Sequence, residues 1–273
     1  MKHTTLVAIA PLFDAFLIDQ FGVLLTGDGA YPSAPMALRR LAAMDKKILL
    51  LSNSGKRSEP NAARLTRLGF DRDSYQMVLS SGEAAYAVLA DRVPTGHKVW
   101  LHARDNDQSA IDGLGLIPAD DPGVADVLII AGSQGDTTTL DQYRAILAPA
   151  VARGVPAYCT NPDMQMLTSA GQSFGAGRIA QLYESLGGKV DWIGKPFPLI
   201  YQVANRILGG VDPSRVLCIG DSPAHDIKGG RDAGFATALV RTGIHAGEPE
   251  EQVLDHCRLI GAMPDFVLPH FDL

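Results

Sequence analysis

The sequence predicts an α/β protein in which a parallel-sheet core is interrupted by a second, inserted α/β unit. Three observations predict it. Short apolar runs recur along the chain, each followed by a polar or glycine-containing turn and then a helical pattern, the signature of βα units and a parallel sheet. At 273 residues the chain exceeds the usual length of one domain. The residues that carry chemistry fall only in the first and last blocks, and the block between them is complete as an α/β unit of its own.

The first apolar run, Ala15 to Ile18, is broken by the polar Asp19. The second, Lys47 to Leu51, ends at Ser52-Asn53-Ser54-Gly55 and leads into a helix from Ser58 to Leu68. There Ser58 suits the cap, Pro60 is acceptable in the first turn and Gly69 closes the helix. The middle block predicts a helix from Gly82 to Ala90, a strand from Lys98 to His102, a helix from Gln108 to Leu114 and a strand from Val127 to Ala131. A helix from Leu140 to Arg153 and a strand from Pro156 to Thr160 complete it. The last block predicts helices from Gly177 to Leu186 and Pro198 to Leu208, a strand from Arg215 to Ile219, a helix from His225 to Ala233 and a strand from Ala236 to Val240. The expected division is therefore a core of residues 1–79 and 176–273 with an insert of residues 80–175.

Apolar residues make up 46% and charged residues 20% of the chain, which fits an ordinary globular protein. The formal charge of −6, with Lys and Arg scattered, offers no basic field for a nucleic-acid backbone. The longest apolar runs, Ile48 to Leu51 and Val127 to Ala131, fall far short of the roughly 20 residues that span a bilayer. No small-residue cleavage site follows the apolar patch near the start, so a cytoplasmic protein is expected, with no nucleic-acid or membrane partner and a homodimer left open. Cys159, Cys218 and Cys257 form no CxxC pair and read as structural, in keeping with a reducing compartment.

Parallel sheets place ligands at the carboxyl ends of their strands, so residues distant in sequence converge there. Four segments carry residues suited to phosphoryl transfer. In Ile18-Asp19-Gln20-Phe21-Gly22 an aspartate follows a strand and precedes a glycine turn; it suits a nucleophile or a ligand to a hard cation, or simply a turn. In Leu51-Ser52-Asn53-Ser54-Gly55 a hydroxyl and backbone N–H groups stand ready for phosphate oxygens, although such turns also occur without a ligand. Gly194-Lys195-Pro196 presents a lysine beside a glycine and a proline, either to neutralise a phosphate and a carboxylate or to be solvated. In Gly220-Asp221-Ser222-Pro223-Ala224-His225-Asp226 two carboxylates flank a turn after a buried strand, which suits magnesium better than a helix cap.

Together and in this order, the four segments resemble the motifs of the haloacid dehalogenase superfamily, specifically its NagD-like, p-nitrophenyl phosphatase-like branch. That branch has a large α/β cap between the second and third motifs. Thr160-Asn161-Pro162-Asp163 and Gly175-Ala176-Gly177 resemble the family's return from cap to core. The resemblance covers nearly the whole chain and implies a Rossmann-like, doubly wound parallel-sheet core with an inserted α/β cap domain. It implies a magnesium-dependent hydrolase of phosphorylated small molecules that passes through an aspartyl-phosphate. Asp19 is then the nucleophile, Ser52 and the Asn53 backbone hold the transferring group, and Lys195 stabilises charge. Magnesium is then bound by Asp19 and by Asp221 directly, by Asp226 directly or through water, and by the backbone carbonyl of Phe21.

The family's phosphatases carry a second aspartate two residues after the nucleophile as general acid and base, and this chain has Phe21 there. Its side chain is expected to occupy the acid's place and make the leaving-group side apolar, favouring good leaving groups. Two other readings compete. One is displacement at carbon, since the superfamily's dehalogenases carry an aromatic residue at this position; the other is a phosphometabolite-binding or regulatory role. His102, Arg104 and Asp105 follow one strand of the insert and Gly132-Ser133-Gln134-Gly135-Asp136 another, and either loop reads as facing the site or as solvated. Trp100 reads as core, and His245 as a residue that either approaches the metal face or plays no part.

Overall fold

The computed structural model of the protein describes residues 1–168 and 171–273. In chain order the elements are β1 (Lys2–His3), α1 (Leu6–Ile9), β2 (Ala15–Asp19), α2 (Ala34–Ala42), β3 (Lys47–Ser52), α3 (Ser58–Arg67) and β4 (Met77–Ser80). Next come α4 (Ser81–Arg92), β5 (Lys98–His102), β6 (Ile117–Pro118), β7 (Val127–Ile130), α5 (Leu140–Arg153), β8 (Pro156–Cys159), β9 (Gln165–Thr168), β10 (Gly171–Phe174), α6 (Ala176–Ser185) and β11 (Lys189–Trp192). The chain finishes with α7 (Pro198–Ile207), β12 (Val216–Gly220), α8 (Lys228–Asp232), β13 (Ala236–Val240), α9 (Glu250–Leu259) and β14 (Phe266–Leu268). No helix among the described residues is long and apolar enough to cross a membrane.

These elements form two units. The first comprises Met1–Ser52, Ser58–Leu79 and Lys195–Leu273; the second comprises Asn53–Arg57 and Ser80–Gly194. The first is Rossmann-like, built on a seven-stranded sheet in the order β1-β14-β13-β12-β2-β3-β4. From β2 the chain winds outward one way through β3 and β4, then returns on the other side of β2 through β12, β13 and β14. The carboxyl ends of β2 and β12 are therefore the switch point at which doubly wound sheets bind ligands. β12 is buried throughout and β2 at all but its last residue, Asp19, because both faces of a central parallel strand are covered. Phe16, Ile18, Leu50, Leu217 and Ile219 join Leu38 and Leu41 of α2 in the main core.

The second unit is a separate α/β layer whose five-stranded sheet runs β11-β8-β7-β5-β6. Leu128 and Ile130 of β7 pack with Tyr143 and Leu147 of α5 and with Ile179 and Tyr183 of α6. Its extent corrects the expected boundary at 176, since the chain returns to the first unit only at Lys195. The cause is pairing: β11 lies parallel to β8, and α6 buries Ala176, Ile179, Ala180 and Tyr183 in the second core. Gly175-Ala176-Gly177 thus opens the last helix of the second unit.

The helix expected from Gln108 to Leu114 is a run of turns. Asp105 and Asn106 adopt left-handed backbone at φ 57° and 53°, and the Asp107 side chain accepts the Ser109 N–H, so local polar contacts displace the helix. The helix expected from His225 to Ala233 is split: residues Pro223–Ile227 form one wide π-type turn before α8. Ser222 O accepts both the Asp226 and the Ile227 N–H there, at 2.9 and 3.2 Å.

Candidate active site

The register of the central sheet assembles the site. Asp19 lies beside Leu51 of β3, and Ile18 beside Ile219 of β12, so Ser52, the last residue of β3, and Asp221, just past the end of β12, stand next to Asp19. A tight turn follows Asp19, in which Gln20 O accepts the N–H groups of Leu24 and Leu25, both at 2.8 Å. The wide turn after β12 brings Asp226 back over the end of its own strand, where its Oδ2 accepts the Ser222 N–H at 3.1 Å. Lys195 donates from Nζ to Asp19 Oδ1 at 2.5 Å and to Asp226 Oδ1 at 2.6 Å, with only 4% of the residue exposed.

Asp19, Asp221 and Asp226 each offer a carboxylate oxygen, and these oxygens lie within 4.8 Å of one another. One ammonium, bonded to Asp19 and Asp226, thus belongs to a cluster of three buried or nearly buried carboxyl groups. Burial pushes the Asp19 carboxyl up to about 8; Lys195 opposes the shift, and Asp226 and Asp221 reinforce it. Burial, then Asp226, pushes Asp221 up to about 6 against the Ile244 N–H, which donates to its Oδ2 at 2.8 Å. Burial also works against the Lys195 charge, but Asp19 and Asp226 outweigh it and hold the ammonium above the usual lysine range.

Two glycines make the close approach to Asp221 feasible. Gly22 has φ +87° and Gly243 φ +76°, and a Cβ on either would lie 2.1 or 1.9 Å from Asp221 Oδ2. Thr242 fastens the two loops by donating its hydroxyl to Gly22 O at 2.5 Å.

The structure therefore brings together Asp19, Lys195, Asp221 and Asp226, with Ser52 buried at the neighbouring strand end. Asn53 belongs to the second unit, where its side-chain amide donates to Asp163 Oδ1 at 3.0 Å and its Oδ1 accepts from Ser81 at 3.4 Å. Phe21 is 50% exposed, with the Arg64 guanidinium 4.9 Å from its ring centroid. The Phe21 ring therefore has a cation, supplied by α3, on its face. His245 pairs with Glu248 at 3.0 Å, and it is the backbone of Ile244 beside it that reaches Asp221.

The two loops of the second unit are engaged within that unit. Arg104 forms a two-pronged pair with Asp136, both bonds at 3.0 Å, and donates to Ser133 O. His102 bonds Tyr143 at 2.7 Å and stacks on Trp100, which is a core residue. All three cysteines are free and buried, with thiols raised by burial. Sequence reasoning missed Arg64, Gln20, Thr242 and the Ile244 backbone; the last acts through its peptide N–H, which leaves no mark in residue type.

The family model described as haloacid dehalogenase-like hydrolase matches residues 16–117, and an HAD-hydrolase-like model matches residues 192–272. The chain is 31% identical over 273 residues to the sugar-phosphatase AraL of Bacillus subtilis, covering 98% of this chain and 92% of that protein. It is 30% identical over 249 residues to chronophin of Rattus norvegicus, covering 87% and 79%. The solved p-nitrophenyl phosphatase of Archaeoglobus fulgidus superposes with a TM-score of 0.78 at 27% identity, over 95% of this chain and 97% of that one. With an acidic cluster at the switch point of a doubly wound sheet, and relatives that align over nearly its full length, this chain belongs to the haloacid dehalogenase-like hydrolase family.

Proposed function

We propose that this hydrolase is a magnesium-dependent phosphatase of small phosphorylated metabolites, with Asp19 as nucleophile. The carrying observation is the convergence of three carboxylate oxygens within 4.8 Å of one another, two of the three groups being bonded to one lysine. An all-oxygen donor set in which three carboxyl groups crowd together fits a hard divalent cation. Asp19, Asp221, Asp226 and the carbonyl of Phe21 would hold the ion. When bound, the ion neutralises charge on the phosphate and on the carboxylates it meets.

Asp19 attacks phosphorus, a bond forms from its carboxylate oxygen, and the bond to the leaving oxygen breaks. Lys195 orients that carboxylate through Oδ1 and offsets the negative charge of nucleophile and phosphate together. Ser52 and the Asn53 backbone N–H hold the transferring group. Water then attacks the aspartyl-phosphate, releasing phosphate and restoring Asp19. The residue two places on is Phe21, so no carboxyl group stands there to protonate the leaving oxygen; aryl phosphates and anhydrides are the favoured substrates. The insert serves as the cap of this enzyme, part of the same proposal. A displacement at carbon would leave Asp221 and Asp226 without a purpose.

Hydrolysis of p-nitrophenyl phosphate is expected to vanish after exhaustive chelation and return with magnesium. Asp19→Asn should abolish turnover while retaining magnesium binding by calorimetry. Full activity in chelator, or more than a few per cent of the rate in Asp19→Asn, would overturn the proposal.

A further inference from the structure

We propose that Arg64 and Phe21 form a recognition site for a second negative charge, carried by the leaving group of the substrate; the inference rests on the phosphatase reading. Residue 21 lies two residues from Asp19, so its Cα is within about 7 Å of that of the nucleophile. A phenyl ring half exposed at this point is not a core element. Arg64 lays its guanidinium over that ring, 4.9 Å from the centroid, and its position is fixed by donation to Gln20 Oε1 at 2.7 Å.

Among the described residues the guanidinium lacks a counter-ion. Other arginines of the chain grip carboxylates with two bonds: Arg57 holds Glu83, Arg104 holds Asp136 and Arg215 holds Asp14. Arg64 has no carboxylate within 4.0 Å among the described residues. Its Nε is buried without a partner, and so is Nε2 of Gln20, a residue only 1% exposed. A half-buried cation of this kind is costly to the fold and is fitted to an incoming anion, since the planar guanidinium matches carboxylate and phosphate alike. Its place supplies a reason: without an acid to protonate the leaving oxygen, binding energy from a remote anionic group is available to stabilise the transition state.

Two matched substrate pairs test this, with p-nitrophenyl phosphate as reference and magnesium supplied. O-Phospho-3-hydroxypropanoate against its amide probes a carboxylate; 1,3-propanediol bisphosphate against 3-hydroxypropyl phosphate probes a second phosphate. In the wild type, kcat/KM should favour the charged member of at least one pair by about tenfold, the scale of one charge-assisted contact, and the pair concerned names the anion. Arg64→Met should erase that preference and Arg64→Lys retain part of it. If Arg64→Met does not fold, the wild-type preference must still shrink as salt rises. Hydrolysis of the reference with no preference in either pair, a preference that survives Arg64→Met, or one indifferent to salt would overturn the inference and leave the phosphatase reading standing. Failure to hydrolyse any of the five compounds would overturn the phosphatase reading itself.

Discussion

Asp221→Asn should make the metal-free protein more stable while weakening its hold on magnesium. The Asp221 carboxyl moves from an ordinary 3.8 to about 6 on folding. A carboxyl raised on folding contributes fully to stability below its unfolded value and loses that contribution as pH rises through the folded one. At 1.36 kcal/mol per unit, the burden at pH 7.5 is about 3 kcal/mol. The residue is 4% exposed, so solvent screens little of this. Asparagine keeps an acceptor for the Ile244 N–H and presents an amide to the carboxylates of Asp19 and Asp226, at the cost of ordering its two donors. A net gain of roughly 1–2 kcal/mol is expected, which is about 2–8 °C in Tm for a chain of this size. Thermal unfolding in chelator at pH 7.5 and 4.5 reads it: a gain at the higher pH, little at the lower. Equal or lower stability at pH 7.5, or a gain that persists at pH 4.5, would refute the reasoning. The same variant should bind magnesium more weakly than Asp226→Asn.

Phe21→Asp alone should give only a small gain on alkyl phosphates, because the new carboxylate would meet the Arg64 guanidinium and stay ionised. Combined with Arg64→Met it should flatten the dependence of rate on leaving-group pKa, and equal flattening by the single change would contradict this. Burial pushes His102 down to about 4 from 6.5, so the unfolded chain takes up a proton over a range in which the folded one does not. Stability should therefore fall as pH drops from above 6.5 through 4, by up to about 3 kcal/mol. His102→Phe should make that slope shallower, with Tyr143 still accepting the Gln134 N–H; urea unfolding across this range that gives identical slopes would count against it.

Much of the site was legible because its charged residues interrupt apolar runs. Asp19 follows four buried strand residues and Asp221 follows five, so strand end and chemistry announce each other. Lys195 was legible only through its glycine and proline neighbours. Edge elements were not: β11 alternates exposed and half-buried residues, and the antiparallel β9–β10 pair is rich in polar residues, so neither carries the apolar signature of a central strand. That loss moved the expected boundary from 195 to 176, since a glycine-flanked helix start reads alike in either unit. Arg64 was invisible for another reason: on an amphipathic helix, an arginine over a loop residue looks in sequence like any solvated one.

The central pairing of β2 with β12 also fixes a timetable for synthesis. Asp19 leaves the ribosome some two hundred residues before Asp221, which at typical elongation rates is about 10–40 s. The second unit, apart from Asn53–Arg57, is one continuous stretch whose sheet is finished at Trp192. It can fold while the first unit still lacks the strand at its centre. The nascent chain thus carries Asp19 without Asp221 and Asp226 until β12 and the turn after it emerge, and the acidic cluster is complete only then.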